Sequence, residues 1–229
     1  MIDRLRKFFA ALALLSVELI VVIVLFILSL LVFFYITDEI IEDKNNTFDN
    51  AVFAFIHPFI NASNTMLMRI ITVFGSHIFL IPANIILALV FLLKKHRWYS
   101  LRVPVVSLGS FIVMASLKLF FSRPRPDDPV YQAAMGFSYP SGHAMSSVTF
   151  FGLLVFLVWD RVHDRSIRWV LTIFLSIFVL VIGFSRVYLR VHYASDVLAG
   201  FSMGVIWLVI SLWAMDKIEK YAGRKVAPA

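Results

Sequence analysis

The sequence predicts an all-α fold: a six-span transmembrane helical bundle, both termini cytoplasmic, with an interfacial helix after the first span. Three observations carry that prediction. Of 229 residues, 61% are apolar and only 15% are charged, too few charges to cover a water-soluble domain of this size. Six stretches are apolar and helical in length, where a crossing takes about 20 residues. The basic residues gather in alternate segments between those stretches, as cytoplasmic loops do.

The first span is read over residues 8–36. Arg4, Arg6 and Lys7 precede it as in a signal peptide, but the apolar run far exceeds a signal core and no small-residue cleavage site interrupts it. Residues 48–66 set Phe48, Val52, Phe53, Ile56 and Ile60 between polar ends, the pattern of a helix lying at the interface. Such a helix is placed to roof the outer end of the bundle or to guide a lipid into it. The second span, 71–93, carries Ser76, His77 and Pro82 and has an interfacial outer end. The remaining spans are 102–121, 144–159 (short, with a polar start), 168–186 and 196–215. No strict alternation suggests a β-barrel. No repeat, low-complexity segment or linker divides the chain, so residues 1–229 read as one domain.

With the N-terminus inside, the inner segments hold Arg4, Arg6, Lys7, Lys94, Lys95, Arg97, Arg102, Arg161, Arg165, Arg168, Lys217, Lys220, Arg224 and Lys225, fourteen of the 21 basic residues. The first outer loop carries Asp38, Glu39, Glu42, Asp43 and Asp49. Trp98, Trp159, Trp169 and Trp213 fall near the inner ends, as an aromatic belt does. The net charge of +7 is therefore mostly a topology signal. It forms no single basic patch, so no nucleic-acid partner is expected. The absence of cysteine excludes disulfides, thiolate metal sites and a cysteine nucleophile.

Seven basic residues remain outside: Lys44, Arg69, Lys118, Arg123, Arg125, Arg186 and Arg190. Cations at a membrane boundary are costly unless an anion neutralises them. Lys118 and Arg125 close the third span, Ser141, Gly142 and His143 open the fourth, and Arg186, His192 and Asp196 join the fifth to the sixth. All three segments fall at outer span ends, where a bundle can bring them together. Lys118, Arg125 and Arg186 suit phosphate oxygens, as point charge and as planar forks of donors. Ser141 and Gly142 precede a helix, whose free N–H groups and positive dipole end favour phosphate. Gly142 lets the backbone approach closely, and Pro124 and Pro126 stiffen the loop around Arg125.

His192 and Asp196 stand four apart, on one helical face. The carboxylate can hold one ring nitrogen and leave the other free as a nucleophile. His143 can serve as general acid toward a leaving oxygen and then as base toward water. Two histidines and an aspartate could also hold zinc. The surrounding cations repel a dication and favour an anionic substrate and phosphoryl transition state, so neither a metal nor another cofactor is expected.

The pattern Lys118, six residues, Arg125-Pro126; then Pro140-Ser141-Gly142-His143; then Ser185-Arg186, five residues, His192, three residues, Asp196 resembles the signature of the type-2 phosphatidic acid phosphatase superfamily. The six-span layout resembles its integral membrane branch, so the likeness extends over essentially the whole chain. The resemblance implies that His192 forms a phosphohistidine, oriented by Asp196. It implies that His143 protonates the leaving lipid oxygen and then activates water, and that Lys118, Arg125, Arg186, Ser141 and Gly142 hold the phosphate without a metal. The substrate class it implies is a lipid monophosphate or diphosphate such as phosphatidylglycerophosphate, phosphatidic acid or undecaprenyl diphosphate. That substrate would be reached within the bilayer at the extracytoplasmic face. The short chain and small loops suit a bacterial cytoplasmic membrane. The motifs do not separate hydrolysis from phosphotransfer to another lipid. A non-catalytic transporter or scaffold for anionic lipids fits less well, because binding alone needs no paired histidines. The sequence names no protein partner.

Outside the motifs the readings are structural. Arg69 reads as an interfacial anchor, His57 and His77 as loop or interface residues, and Glu18 as a protonated or structural contact within the first span. Asn45 and Asn61 begin sequons that matter only on a eukaryotic secretory route.

Overall fold

The computed structural model describes residues 17–42, 46–131 and 135–226. Among them the structure is helical and contains no strand. The helices are α1 (Val17–Glu42), α2 (Thr47–Ile56), α3 (Ala62–Val73), α4 (His77–Leu93), α5 (Arg97–Phe121), α6 (Gly142–Arg161), α7 (Arg165–Tyr188) and α8 (Ala194–Val226), with a 3₁₀ turn at His57–Phe59. Six stretches are long and apolar enough to cross a membrane: Leu19–Ile40, Ala62–Leu93, Arg97–Phe121, Gly142–Arg161, Arg165–Tyr188 and Ala194–Gly223. The predicted six-span, all-α bundle is therefore present. The side chain of Glu18 and residues Arg4, Arg6, Lys7, Asp43 and Lys44 lie outside the described part, as do the side chains of Arg224 and Lys225.

Local chemistry sets the helix ends. The side-chain oxygen of Asn61 accepts from the Asn64 N–H at 2.9 Å and starts α3. The Asp164 carboxylate accepts from the Ile167 N–H at 2.8 Å and starts α7. Ser141 caps α6 with its side chain toward Ala144. Helix α5 stops where Ser122 turns left-handed at φ 46°, and Pro124 and Pro126 prevent its resumption.

Two boundaries differ from the sequence reading. The helix expected over 48–66 ends at Ile56, because Pro58 fits a 3₁₀ turn and Asn61 caps a new helix. The second span begins at residue 62 rather than 71 and consists of α3 and α4, broken at Phe74-Gly75-Ser76. Gly75 is buried there. A Cβ on it would stand 2.5 Å from Ile182 Cγ2 and 3.3 Å from His143 Cδ2, so only glycine fits beside that histidine.

Helices α6 and α8 form the centre. α6 packs against α5, α7 and α8; α1 lies along α8, α3 along α7, and α4 along α5. Apolar side chains such as Phe34, Leu93 and Phe120 point outward, as a surface facing lipid tails would have them. In such a setting dispersion contacts and polar ties, rather than expulsion of water, hold helices together. The α6–α8 approach is accordingly close: a Cβ on Gly200 would come within 2.7 Å of the Ser141 carbonyl oxygen. Consecutive spans alternate in direction, so the end of α5, the start of α6, the end of α7 and the start of α8 meet at one end. At the opposite end buried Arg102 pairs with Asp216 and, at 2.8 Å, with Glu219, tying α5 to α8. Nearby, Trp159 Nε1 donates to Thr172 Oγ1 at 2.9 Å and ties α6 to α7.

Candidate active site

His192 lies in the short connection from α7 to α8. Helix α7 ends at Tyr188, and Arg190 takes a left-handed φ of 52°, which swings the chain back so that α8 starts at Ala194. Val187, Tyr188, Leu189, Val191, Ala194 and Val197 bury their side chains with Ile56 and Ala144 and give the turn an apolar floor. Asp196 sits in the first turn of α8, fully buried.

Both carboxylate oxygens of Asp196 are occupied. Oδ1 accepts from Arg123 at 2.7 Å. Oδ2 accepts from the Ser138 hydroxyl and from the Tyr193 backbone N–H at 2.9 Å, and faces His192 Nδ1 at 3.4 Å. Ser138 Oγ is also 3.3 Å from His192 Nδ1. On the other side of the ring, Arg125 approaches Nε2 at 3.1 Å. A guanidinium only donates, so Nε2 is the acceptor and the ring proton belongs on Nδ1, toward Asp196 and Ser138. Burial, first, and then the charges of Arg125 and Arg186 lower the His192 pKa to about 4, against the opposing pull of Asp196. The ring is thus neutral near pH 7, with its lone pair aimed at cations.

Those cations come from three elements. Lys118 Nζ on α5 donates to the carbonyls of Phe137 at 2.6 Å and Ser138 at 3.2 Å. Arg125 is held by the carbonyls of Gly136 (2.9 Å), Met135 (3.2 Å) and Val191 (2.6 Å). Burial is the main reason its pKa is lowered, with Asp196 acting the other way. Arg186 on α7 is buried and donates to Thr72 Oγ1 at 2.7 Å, while its Nε has no partner among the described residues. Three cations without an ion pair among the described residues, one with an orphaned buried donor, make a socket for an anion with several oxygens.

The sequence-derived residues Lys118, Arg125, Gly142, His143, Arg186, His192 and Asp196 therefore gather at one end of the bundle. His143, in the first turn of α6, lies within electrostatic range of Arg186, His192, His77 and Arg125. Ser141 plays a partly different role from a phosphate donor. Its backbone N–H donates to the Asp196 carbonyl at 2.9 Å and its side-chain oxygen caps α6, which leaves only the hydroxyl proton free. Among the described residues no group of three or more His, Asp or Glu is placed to hold a metal ion.

In the sequence Arg123 is one of the seven outer basic residues and falls outside the assigned phosphate-binding set. The structure puts it behind Asp196, buried, bridging Asp196 to Asp49 on α2 at 2.9 Å and to Asn46 at 2.5 Å. Burial opposes its charge, but Asp196 and Asp49 outweigh that and raise its pKa. Ser195 completes the lock: its N–H and hydroxyl both donate to Asp49, at 2.9 and 2.5 Å. Helix α2 therefore closes the Asp196 side of the site. The signal for this was a lone acid on an apolar face, since Asp49 stands seven residues from buried Ile56, two turns along α2.

A family model described as the PAP2 superfamily matches residues 99–220, which hold every motif above. The chain belongs to the PAP2 superfamily. It is 26% identical over 198 residues to phosphatidylglycerophosphatase B of Bacillus subtilis, covering 86% of this chain and 96% of that protein. It is 32% identical over 130 residues to a lipid A 4'-phosphatase of Bacteroides thetaiotaomicron, covering 49% of this chain and 54% of the relative. Among solved structures, a transmembrane PAP2-type phosphatidylglycerolphosphate phosphatase from Bacillus subtilis superposes with a TM-score of 0.73 at 26% identity, over 86% of this chain and 96% of that one. LpxE of Aquifex aeolicus shares the fold at a TM-score of 0.56 and 24% identity, over 71% and 93% of the two chains. The PAP2 chain described here is thus an integral membrane protein of a family whose matched relatives are phosphatases.

Proposed function

We propose that this PAP2 protein removes phosphate from a lipid monophosphate or diphosphate through a phosphohistidine on His192, at the extracytoplasmic face of the membrane. The observation that carries the reading is the state of the His192 ring: Nδ1 is anchored toward Asp196 and Ser138, and Nε2 is an acceptor facing Arg125. A merely structural histidine has no need to present a ring lone pair to a cluster of cations.

In this mechanism Lys118, Arg125 and Arg186 bind the phosphoryl oxygens and neutralise the charge that spreads over them in the transition state. The Nε2 lone pair forms a bond to phosphorus as the bond from phosphorus to the lipid oxygen breaks. His143 gives a proton to that oxygen. Asp196 stabilises the imidazolium that results. Water then attacks phosphorus, His143 takes its proton, and the N–P bond breaks to free inorganic phosphate and restore the ring. The buried donors supply electrostatic stabilisation without a metal.

The relatives' names favour phosphatidylglycerophosphate as substrate, with phosphatidic acid and undecaprenyl diphosphate as the other candidates. The test is phosphate release by protein purified in detergent, with EDTA present, over these three lipids. Wild type should release phosphate and His192→Ala should lose at least about a thousandfold, the order expected for removal of a nucleophile. Equal rates in the two proteins would sink the mechanism. Full loss on adding EDTA would sink its metal independence. Phosphate passed to a second lipid instead of water would make the protein a phosphotransferase.

A further inference from the structure

Arg69 sits on α3, exposed, with its guanidinium 3.9 Å above the Tyr131 ring and NH2 donating to the Tyr131 hydroxyl at 2.9 Å. The sequence suggests an anchor at the membrane interface, and its surroundings suit a further role. Thr65, Arg69 and Thr72 are spaced four and three apart, so they share one face of α3. Thr65 bonds the Tyr188 hydroxyl at 3.2 Å, and Thr72 bonds Arg186 at 2.7 Å. That face is therefore pressed on the end of α7 that carries Arg186. From the loop side, the Val130 N–H donates to the Leu189 carbonyl at 3.0 Å and fixes Tyr131 beside the same turn.

Arg69 is thus held from both sides within about one helical turn, roughly 5 Å, of the residue that bonds Arg186. Among the described residues it forms no ion pair. An exposed guanidinium at the same end of the bundle as three other cations suits an anion long enough to reach both. Stacking on Tyr131 holds the guanidinium plane and leaves Nε and NH1 free to donate, which is a preorganised fork for a phosphate.

We propose that Arg69, stacked on Tyr131, is a second anion subsite, which binds a second phosphate in the substrate headgroup on the lipid side of the one that is cleaved. This rests on the lipid phosphatase reading above and deepens it, since it makes the preferred substrate a lipid with two phosphates. Two lipids carry that chemistry: a glycerophospholipid with a phosphodiester and a terminal phosphate, and a polyprenyl diphosphate. A diacylglycerol phosphate has only the cleaved group.

The test compares wild type and Arg69→Gln on all three lipids and reads the ratio of kcat/KM for each two-phosphate lipid to that for diacylglycerol phosphate. Losing a charge-assisted contact should lower the ratio by about tenfold or more. The lipid whose ratio falls identifies the source of the second phosphate. Tyr131→Leu, which removes both the ring and the hydroxyl, should lower the same ratio by a smaller factor. Unchanged ratios for both lipids would overturn the subsite. A binding arm separates this from the catalytic reading: calorimetry of inorganic phosphate and of pyrophosphate with His192→Ala, with and without Arg69→Gln. A preference for pyrophosphate that Arg69→Gln abolishes supports the subsite even in a protein that cleaves nothing, and a preference that is absent or survives the change overturns it.

Discussion

A histidine ring at 2% exposure, with an arginine at one nitrogen and an aspartate at the other, is subject to opposed forces. Burial decides between them and sets the pKa of His192 to about 4, below the ordinary value of about 6.5. The unfolded chain takes up this proton before the folded one does. The share of stability that depends on His192 is therefore fully present above about 6.5 and is lost as pH falls toward 4. His192 therefore stays neutral through the mildly acidic range. Titration of the imidazole NMR signals in detergent, with His192→Asn for assignment, should place the midpoint near 4; a midpoint at the ordinary value would show that Asp196 fully offsets burial. At this scale the clustering of the candidate groups was legible, because His192 and Asp196 are four apart and Ser141, Gly142 and His143 are consecutive. Arg123 was not, because its second carboxylate, Asp49, is 74 residues away and meets it only once α2 has docked.

Helix boundaries followed the same divide. Spans five and six were legible from apolar runs between charged turns, whereas the α3–α4 break depends on Gly75 fitting between Ile182 and His143, a contact no local pattern encodes. The packing of α6 on α8 is a second case. Gly200 faces backbone rather than a yielding side chain, and Ser141, which it touches, donates its N–H to the Asp196 carbonyl. An added methyl must push the start of α6 away from α8. Gly200→Ala should cost about 1–3 kcal/mol, as overpacking does, seen as a lower melting temperature in detergent, and should lower phosphate release as His143 moves from His192. Unaltered melting and turnover would mean the two helices part without cost.

The bundle as a whole keeps its candidate site at one end, and buried ion pairs brace both ends: Arg123 with Asp49 and Asp196 beside that site, Arg102 with Asp216 and Glu219 at the other. Basic residues concentrate at the end of Arg97, Arg161 and Arg165, so that end is expected in the cytoplasm and the reacting groups outside. The absence of cysteine makes this testable without background. Asp128, whose side chain is 91% exposed, lies at the reactive end, and exposed His163 lies at the other. In intact cells a membrane-impermeant maleimide should label Asp128→Cys and spare His163→Cys; the reverse pattern would invert the topology.

The turn at residues 162–164, between α6 and α7, belongs wholly to the end remote from the reaction. It also divides the chemistry into two incomplete sets. Lys118, Arg125 and His143 come before it; Arg186, His192 and Asp196 come after. On the mechanism proposed above, neither half of the chain is expected to turn over alone, and turnover would report directly that the two halves have met in the same membrane.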